Sequence, residues 1–172
     1  MEIKLNGVDE VLAKLRPDVY KKALTRTVND IGSRTKTESV KKIRRAYNIK
    51  AKDLKRFMKV KRARYSDTEY VIDVRSSRFN AMRFSPRRLK KKGHNSLLIK
   101  KENGRKVLKR SFTAKNGALL MREKNSQKVR AVTTVSIPQM FNQKIQKEVG
   151  ELAENESGKR LKDNFQFYIG KD

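Results

Sequence analysis

No cysteine occurs among the 172 residues, and histidine occurs once. Disulfides and thiolate metal sites are therefore excluded, and a reducing compartment is permitted. His94 stands alone in a polar, basic stretch, which leaves a catalytic triad or a histidine metal centre without partners. Acidic residues are scarce, 18 Asp+Glu against 45 Lys+Arg. Those in the middle of the chain (Asp53, Asp67, Glu69, Asp73, Glu102 and Glu123) are scattered among cations and read as counter-charges, not as an acid/base pair. There is no glycine-rich phosphate loop of either common type. No apolar run approaches the roughly 20 residues of a membrane span, and the opening residues lack the charged-then-apolar layout of a secretory signal. No internal repeat is present. These absences predict a soluble non-enzyme made in the cytoplasm, with no cofactor, no metal and no membrane partner.

What is abundant is positive charge. The formal net charge is +27 and the pI is near 10.6. It is unevenly placed: residues 1–40 carry 8 basic and 6 acidic side chains, residues 131–172 carry 6 and 6, and residues 41–130 carry 31 and 6. The length predicts a single domain over residues 1–172 with a strongly basic middle, 41–130. Such a balance predicts acidic partners: nucleic acid, a membrane surface or an acidic protein surface. Zinc-finger, KH and RRM signatures are absent, so any DNA contact should run through phosphates without sequence preference. Tyr47, Phe57, Tyr65, Tyr70, Phe79, Phe84 and Phe112 are interleaved with the cations. Stacking on bases is one role for them, but their apolar alternation favours core packing.

Periodicity supplies the elements. Ile3 and Leu5 alternate like a strand, Asn6-Gly7 is a turn signal, and residues 8–15 suit a short helix. Residues 19–49 read as one long helix, opened by Pro17 and Asp18. Tyr20, Leu24, Val28 and Ile31 form one stripe, and Val40, Ile43 and Tyr47 point roughly opposite, with Gly32 at the changeover. Either the helix kinks there, or its second half packs on something else. Near the other end, Ser136 and Pro138 open a helix with a stripe of Phe141, Ile145, Val149 and Leu152, and Leu161, Phe165 and Tyr168 again fall on roughly the opposite side. Val40, Ile43 and Tyr47, or Leu161, Phe165 and Tyr168, are thus expected to be covered by a neighbouring subunit or another protein of the same assembly, unless kinks in the helices bury them within the chain.

Between the helices the signals are those of strands. Leu54, Phe57 and Met58 suit a short helix followed by an extended segment; residues 70–74 form a strand, and Met82 and Phe84 suggest another, halted near Pro86. RRLKKKGHNSL reads as a mobile loop carrying Arg87, Arg88, Lys90, Lys91 and Lys92. Asn103-Gly104 predicts a hairpin that sets Ile99 against Leu108 and Lys101 against Lys106, with Lys100 and Arg105 beside them. Two lysines facing each other suggest an anion between them. Asn116-Gly117 predicts a second hairpin, with Ala114 opposite Leu119 and Phe112 opposite Met121, and residues 129–137 a further strand. The fold class expected is α+β: a long N-terminal helix, a central antiparallel β-sheet with hairpins, and a long C-terminal helix. The nine cations from Arg87 to Lys106 named here are the candidate contacts to DNA or an acidic surface.

Five motifs carry a resemblance that runs through most of the chain: KALTRTVNDIGSRTKTES in the long helix, the basic IKAKDLKRFMKVKRA, the SPRRLKKKG loop, the NGALLMRE strand, and VSIPQMFNQKI leading into the last helix, with ESGKRL later within it. In these the chain resembles the phage minor tail protein Z family of tail-completion proteins. The resemblance implies a structural virion subunit acting late in tail assembly, near the head-proximal end of a long tail, made in the host cytoplasm. It implies a homo-oligomeric ring, six-fold in proteins of this kind, around the DNA channel, with neighbouring tail and neck proteins and the virion DNA as partners. The other class that fits is a sequence-independent nucleic-acid-binding protein associated with ribosomes or the nucleoid.

Overall fold

The structure, a computed structural model, describes residues 17–170. The expected strand of Ile3 and Leu5, the Asn6-Gly7 turn and the helix of residues 8–15 lie outside them. The chain runs α1 (Pro17–Ala46), α2 (Ala51–Phe57), β1 (Met58–Lys61), β2 (Val71–Val74), a 3-10 turn (Ala81–Phe84), β3 (Arg87–Arg88), β4 (His94–Leu97), β5 (Lys106–Lys109), β6 (Ser111–Thr113), β7 (Leu119–Arg122), β8 (Val129–Ala131), α3 (Ile137–Met140) and α4 (Gln143–Ile169). This is the α+β order the periodicity predicts, a long helix at each end with antiparallel hairpins between. The strands form three small sheets, β1-β2, β3-β4-β5 and β6-β7-β8, in place of one central sheet. Two compact units result. The described part of unit 1 is residues 17–39, 58–73 and 143–170; unit 2 is Val40–Phe57 and Val74–Asn142.

Unit 1 is built on the first part of α1 and on α4. Asn164 Nδ2 donates to Thr27 Oγ1 (3.0 Å), and Arg34 Nη2 meets Glu156 Oε1 at 2.9 Å, so the two helices run antiparallel. Val19, Ala23, Leu161 and Phe165 form the buried cluster between them, with Tyr20, Leu24 and Tyr168 packed around it. Burying each large side chain of that cluster is worth about 1.5–3 kcal/mol. The buried line on α4 runs Ile145, Val149, Ala153, Ser157, Leu161, Phe165, always four residues apart. Four residues overshoot one turn by ~40°, so the line winds round the helix from one side to the other. The abrupt change of side expected from the sequence is this gradual drift, carried across its middle by Ala153 and Ser157. The terminal helix is also shorter than expected at its start. Gln139 Oε1 accepts from Ser136 N (3.0 Å) and Oγ (3.2 Å), capping the separate short helix α3 in unit 2, and α4 begins only at Gln143.

Gly32 is not a break: α1 is one uninterrupted helix of 30 residues. A β-carbon at Gly32 would lie 2.3 Å from Cγ and Cδ1 of Tyr70, so the glycine admits an aromatic ring against the helix backbone. The second stripe of α1 is explained by the passage into unit 2 at Val40. Val40, Ile43 and Tyr47 are buried within the chain, as are Leu161 and Phe165, and Tyr168 is half-buried. The apolar faces that suggested an intersubunit contact are filled by the chain's own packing, which removes the reason for placing a subunit boundary there.

In unit 2 the end of α1 meets an extended segment. Lys101 N donates to Ala46 O (2.9 Å), Asn48 N donates to Ile99 O (2.9 Å), and Tyr47 bridges Lys100. That capture takes Ile99–Lys101 out of the predicted hairpin. The observed pairs are His94 with Lys109 and Leu97 with Lys106, four residues away from the expected register. Lys101 and Lys106 do not face each other.

The stretch read as a mobile loop forms a hairpin: Arg87 pairs with Ser96, Arg88 with Asn95, and Leu89 N donates to His94 O (3.0 Å). Around Asn116-Gly117 the observed pairs are Phe112 with Leu120 and Thr113 with Leu119, one residue from the expected register. The cause is a three-residue loop. Gly117 N donates to Ala114 O (2.9 Å), Ala114 N to Ala118 O (2.9 Å), and only Gly117 of the pair has positive φ, +79°.

The extended run after β8 changes partner. Val129–Ala131 pairs with β7, and then Ala81 N donates to Val132 O (2.8 Å) and Thr134 N to Phe79 O (2.8 Å). Asn80 pins this junction. Its Oδ1 accepts from Leu119 N (2.9 Å) and Met82 N (3.0 Å), and its Nδ2 donates to Leu119 O (3.1 Å). The Met82 and Phe84 stretch is therefore a capped 3-10 turn, not a strand.

Candidate functional site

Dividing the charge by unit sharpens the pattern read along the chain. Unit 2 contains 27 Lys+Arg and 3 Asp+Glu, a net +24. The described residues of unit 1 contain 14 and 11, a net +3. The polycation is thus one folded unit, not a disordered arm. Two of its three carboxylates have cationic partners: Asp53 with Arg83, and Glu102 Oε1 with Lys100 Nζ at 3.4 Å. Arg83 also lies 4.9 Å over the Phe79 ring. The carboxylates of unit 2 can balance only three of its 27 cations.

The nine cations expected to act together are spread over different surfaces of unit 2. Arg87 and Arg88 are exposed neighbours on β3, but they pair with Ser96 and Asn95 respectively and so stand on opposite faces of the sheet. Lys90, Lys91 and Lys92 are exposed at the β3–β4 turn. Lys100, Lys101, Arg105 and Lys106 belong to the connection and strand at the opposite end of the same hairpins. There Lys100 is paired with Glu102, and Arg105 Nη1 donates to Ser96 O (3.1 Å) and Oγ (3.2 Å), so Arg105 braces β4. Lys109, Arg110, Lys124 and Lys128, which the sequence reading passed over, are exposed near the three-lysine turn. Only the pairing of strands could have shown this.

The aromatic side chains go mainly to packing. Phe79 and Phe84 are buried, Tyr47 is buried, and Phe57 stacks on Phe79 with centroids 5.3 Å apart. Phe112 is half-buried, with Arg122 5.4 Å from its ring centre. Among the described residues no three His, Cys, Asp or Glu side chains gather where a metal could bind, and no helix is long and apolar enough to cross a membrane. His94 Nδ1 lies 3.1 Å from Lys92 O, a local turn contact.

The arrangement offers charge and hydrogen-bond donors on hairpins. No curated protein and no solved structure matches the chain. The family model described as prophage minor tail protein Z matches residues 5–170 and so spans both units; the chain belongs to that family, and with it to the structural proteins of phage tails and of the virion.

Proposed function

We propose that the protein is a tail-completion subunit at the head-proximal end of a long phage tail, with copies arranged as a ring around the DNA channel. The segregation of charge carries this reading: a near-neutral helical unit suits packing among proteins, while a unit of net +24 suits DNA or acidic neighbours in the tail and neck. The family model running through both units supports treating residues 1–172 as one functional domain. The partners are further copies of the chain, neighbouring tail and neck proteins, and virion DNA met without sequence preference, through Arg87, Arg88, Lys90 to Lys92 and the cations that fold beside them. Ring stoichiometry of six is the natural match to a six-fold tail. The protein works without a cofactor and without catalysis, in the host cytoplasm during assembly and in the virion afterwards.

The test is the composition and image of purified particles. Mass spectrometry should find the chain at a few copies per virion, and cryo-electron microscopy should place it as a closed ring between tail tube and neck. Absence from particles, or a position along the tube or at the distal tip, would overturn the reading. A second reading, a sequence-independent nucleic-acid-binding protein acting free of the virion, is favoured by the same charge. It predicts salt-sensitive binding by an isolated monomer and no incorporation into particles.

A further inference from the structure

One end of unit 2 gathers three segments that are far apart in the sequence. Within each three-stranded antiparallel sheet alternate connections share an end, and the corner between β5 and β6 joins the two sheets at that end. Here they are the β3–β4 turn, the β5–β6 corner and the β7–β8 turn. His94 N donates to Lys91 O (3.2 Å), Ser111 N to Gly93 O (2.9 Å), Arg122 N to Arg110 O (3.0 Å) and Glu123 N to Lys128 O (3.1 Å). Lys109 stands opposite His94. These contacts bring the exposed Lys90, Lys91, Lys92, Arg110, Lys124 and Lys128 to one end, where Glu123 is the only carboxylate in the three segments. Arg110 sits at the corner with φ +56°, a conformation that glycine adopts without strain and arginine does not. A cation is held where the backbone alone would favour its absence.

We propose that this end of unit 2 is a binding surface for the phosphate backbone of duplex DNA. Its cations are on turns, and of the large apolar side chains exposed among the described residues only Val129, 43% exposed, flanks these turns, which is not the aromatic or aliphatic centre that anchors a protein interface. Phosphate contacts need only charge and reach, and they carry no sequence information. The opposite end of the hairpins is less suited, because Lys100 and Arg105 are already engaged with Glu102 and Ser96. The proposal rests on the reading above only for the kind of DNA met in the virion; the surface itself does not require a ring.

Two variants of equal net charge test it in the full chain. One carries Lys91→Gln, Lys92→Gln, Lys124→Gln and Lys128→Gln; the other carries Arg44→Gln, Lys100→Gln, Lys101→Gln and Lys106→Gln. Binding to a fluorescent duplex of mixed sequence is measured between about 0.05 and 0.2 M salt. Each lost contact gives up to about eightfold in affinity at 0.1 M salt and about 0.9 in the log–log salt slope. The first variant should bind at least about 100-fold more weakly, with a slope smaller by about 3 to 4, and the second should stay within about tenfold, with its slope unchanged. Equal losses in both would show that overall charge, not this surface, binds the duplex. No loss in the first, or loss of binding to poly-glutamate with duplex binding intact, would overturn the proposal, the latter in favour of an acidic protein. Melting controls accompany both; should the first variant unfold, Lys91→Gln with Lys92→Gln alone, both at an exposed turn, should lower the slope by about 2. Wild-type protein that binds duplex but is missing from virions would defeat the tail reading and leave this surface standing.

Discussion

Replacing Gly32 by alanine sets two effects against each other. Alanine in a helix interior gains about 1 kcal/mol over glycine. The new methyl group would sit 2.3 Å from the base of the Tyr70 ring, and overpacking of this kind costs about 1–3 kcal/mol. The clash involves ring atoms next to the backbone, which cannot swing clear as the tip of a long side chain can, so Gly32→Ala should lower stability in chemical denaturation. Combining it with Tyr70→Ala should make the same substitution stabilising, a change of sign that a double-mutant cycle reads directly. A second residue-scale expectation concerns Lys61 and Asp67, whose Nζ and Oδ2 are 2.8 Å apart. The hydrogen bond from Lys61, and then its charge, hold the Asp67 carboxyl below the usual range, and the same contact raises Lys61. A depressed carboxylate contributes above its unfolded pKa and loses that contribution as pH falls through the folded value. A raised ammonium contributes below its unfolded pKa and loses it as pH rises through the folded value. The pair is therefore constant across neutral pH and fails at both extremes. In NMR titration Lys61→Gln should move the Asp67 midpoint upward.

At the scale of elements, Asn80 joins three pieces of unit 2, and Asn80→Ala removes three hydrogen bonds around Leu119 and Met82. At about 1 kcal/mol each, with Leu119 left partly unsatisfied, the loss should be about 2–4 kcal/mol, seen as earlier unfolding of the β6–β8 sheet by hydrogen exchange. The sequence showed both long helices because Tyr20, Leu24, Val28 and Ile31, and later Leu161, Phe165 and Tyr168, repeat with helical spacing; on α1 the most buried line is the adjacent one, Val19, Ala23, Thr27 and Ile31, which Thr27 hides from an apolar count. It also marked the turns at Gly104 and Gly117. Strand pairing was harder. Asn116-Gly117 suits a two-residue turn as well as the three-residue loop it makes, and the choice moves every partner by one. The capture of Ile99 by Asn48 links residues about fifty positions apart, which no local pattern records. Strand β4 hid for another reason. Asn95 and Ser96 are buried in it, satisfied by Ser111 and Arg105 respectively, so an apolar alternation never appears. The cation surface could not be read before those pairings were known, since Arg110, Lys91 and Lys128 meet only through them.

For the whole molecule, the separation of charge predicts unequal responses to salt. Going from about 0.01 to 0.1 M shortens the screening length from about 30 to 10 Å. Amide exchange in the β4–β5 and β7–β8 strands should slow several-fold as repulsion within unit 2 weakens, while exchange in the paired stretches of α1 and α4 should stay nearly constant. A uniform response across both units would contradict the charge map. The threading of the units bears on how the protein is made. The core of unit 1 joins Val19 and Ala23 to Leu161 and Phe165, whereas every strand of unit 2 sheets β3-β4-β5 and β6-β7-β8 ends by Ala131. As the chain leaves the ribosome, Asn142, the last residue of unit 2, emerges before residues 161–165, so the polycationic unit can close while the apolar stripe of α1 still lacks its partners. A nascent chain with Asn142 outside and residues 161–165 still inside would carry a finished basic unit and an unfinished helical one, the state in which proteases and aggregation have their opening.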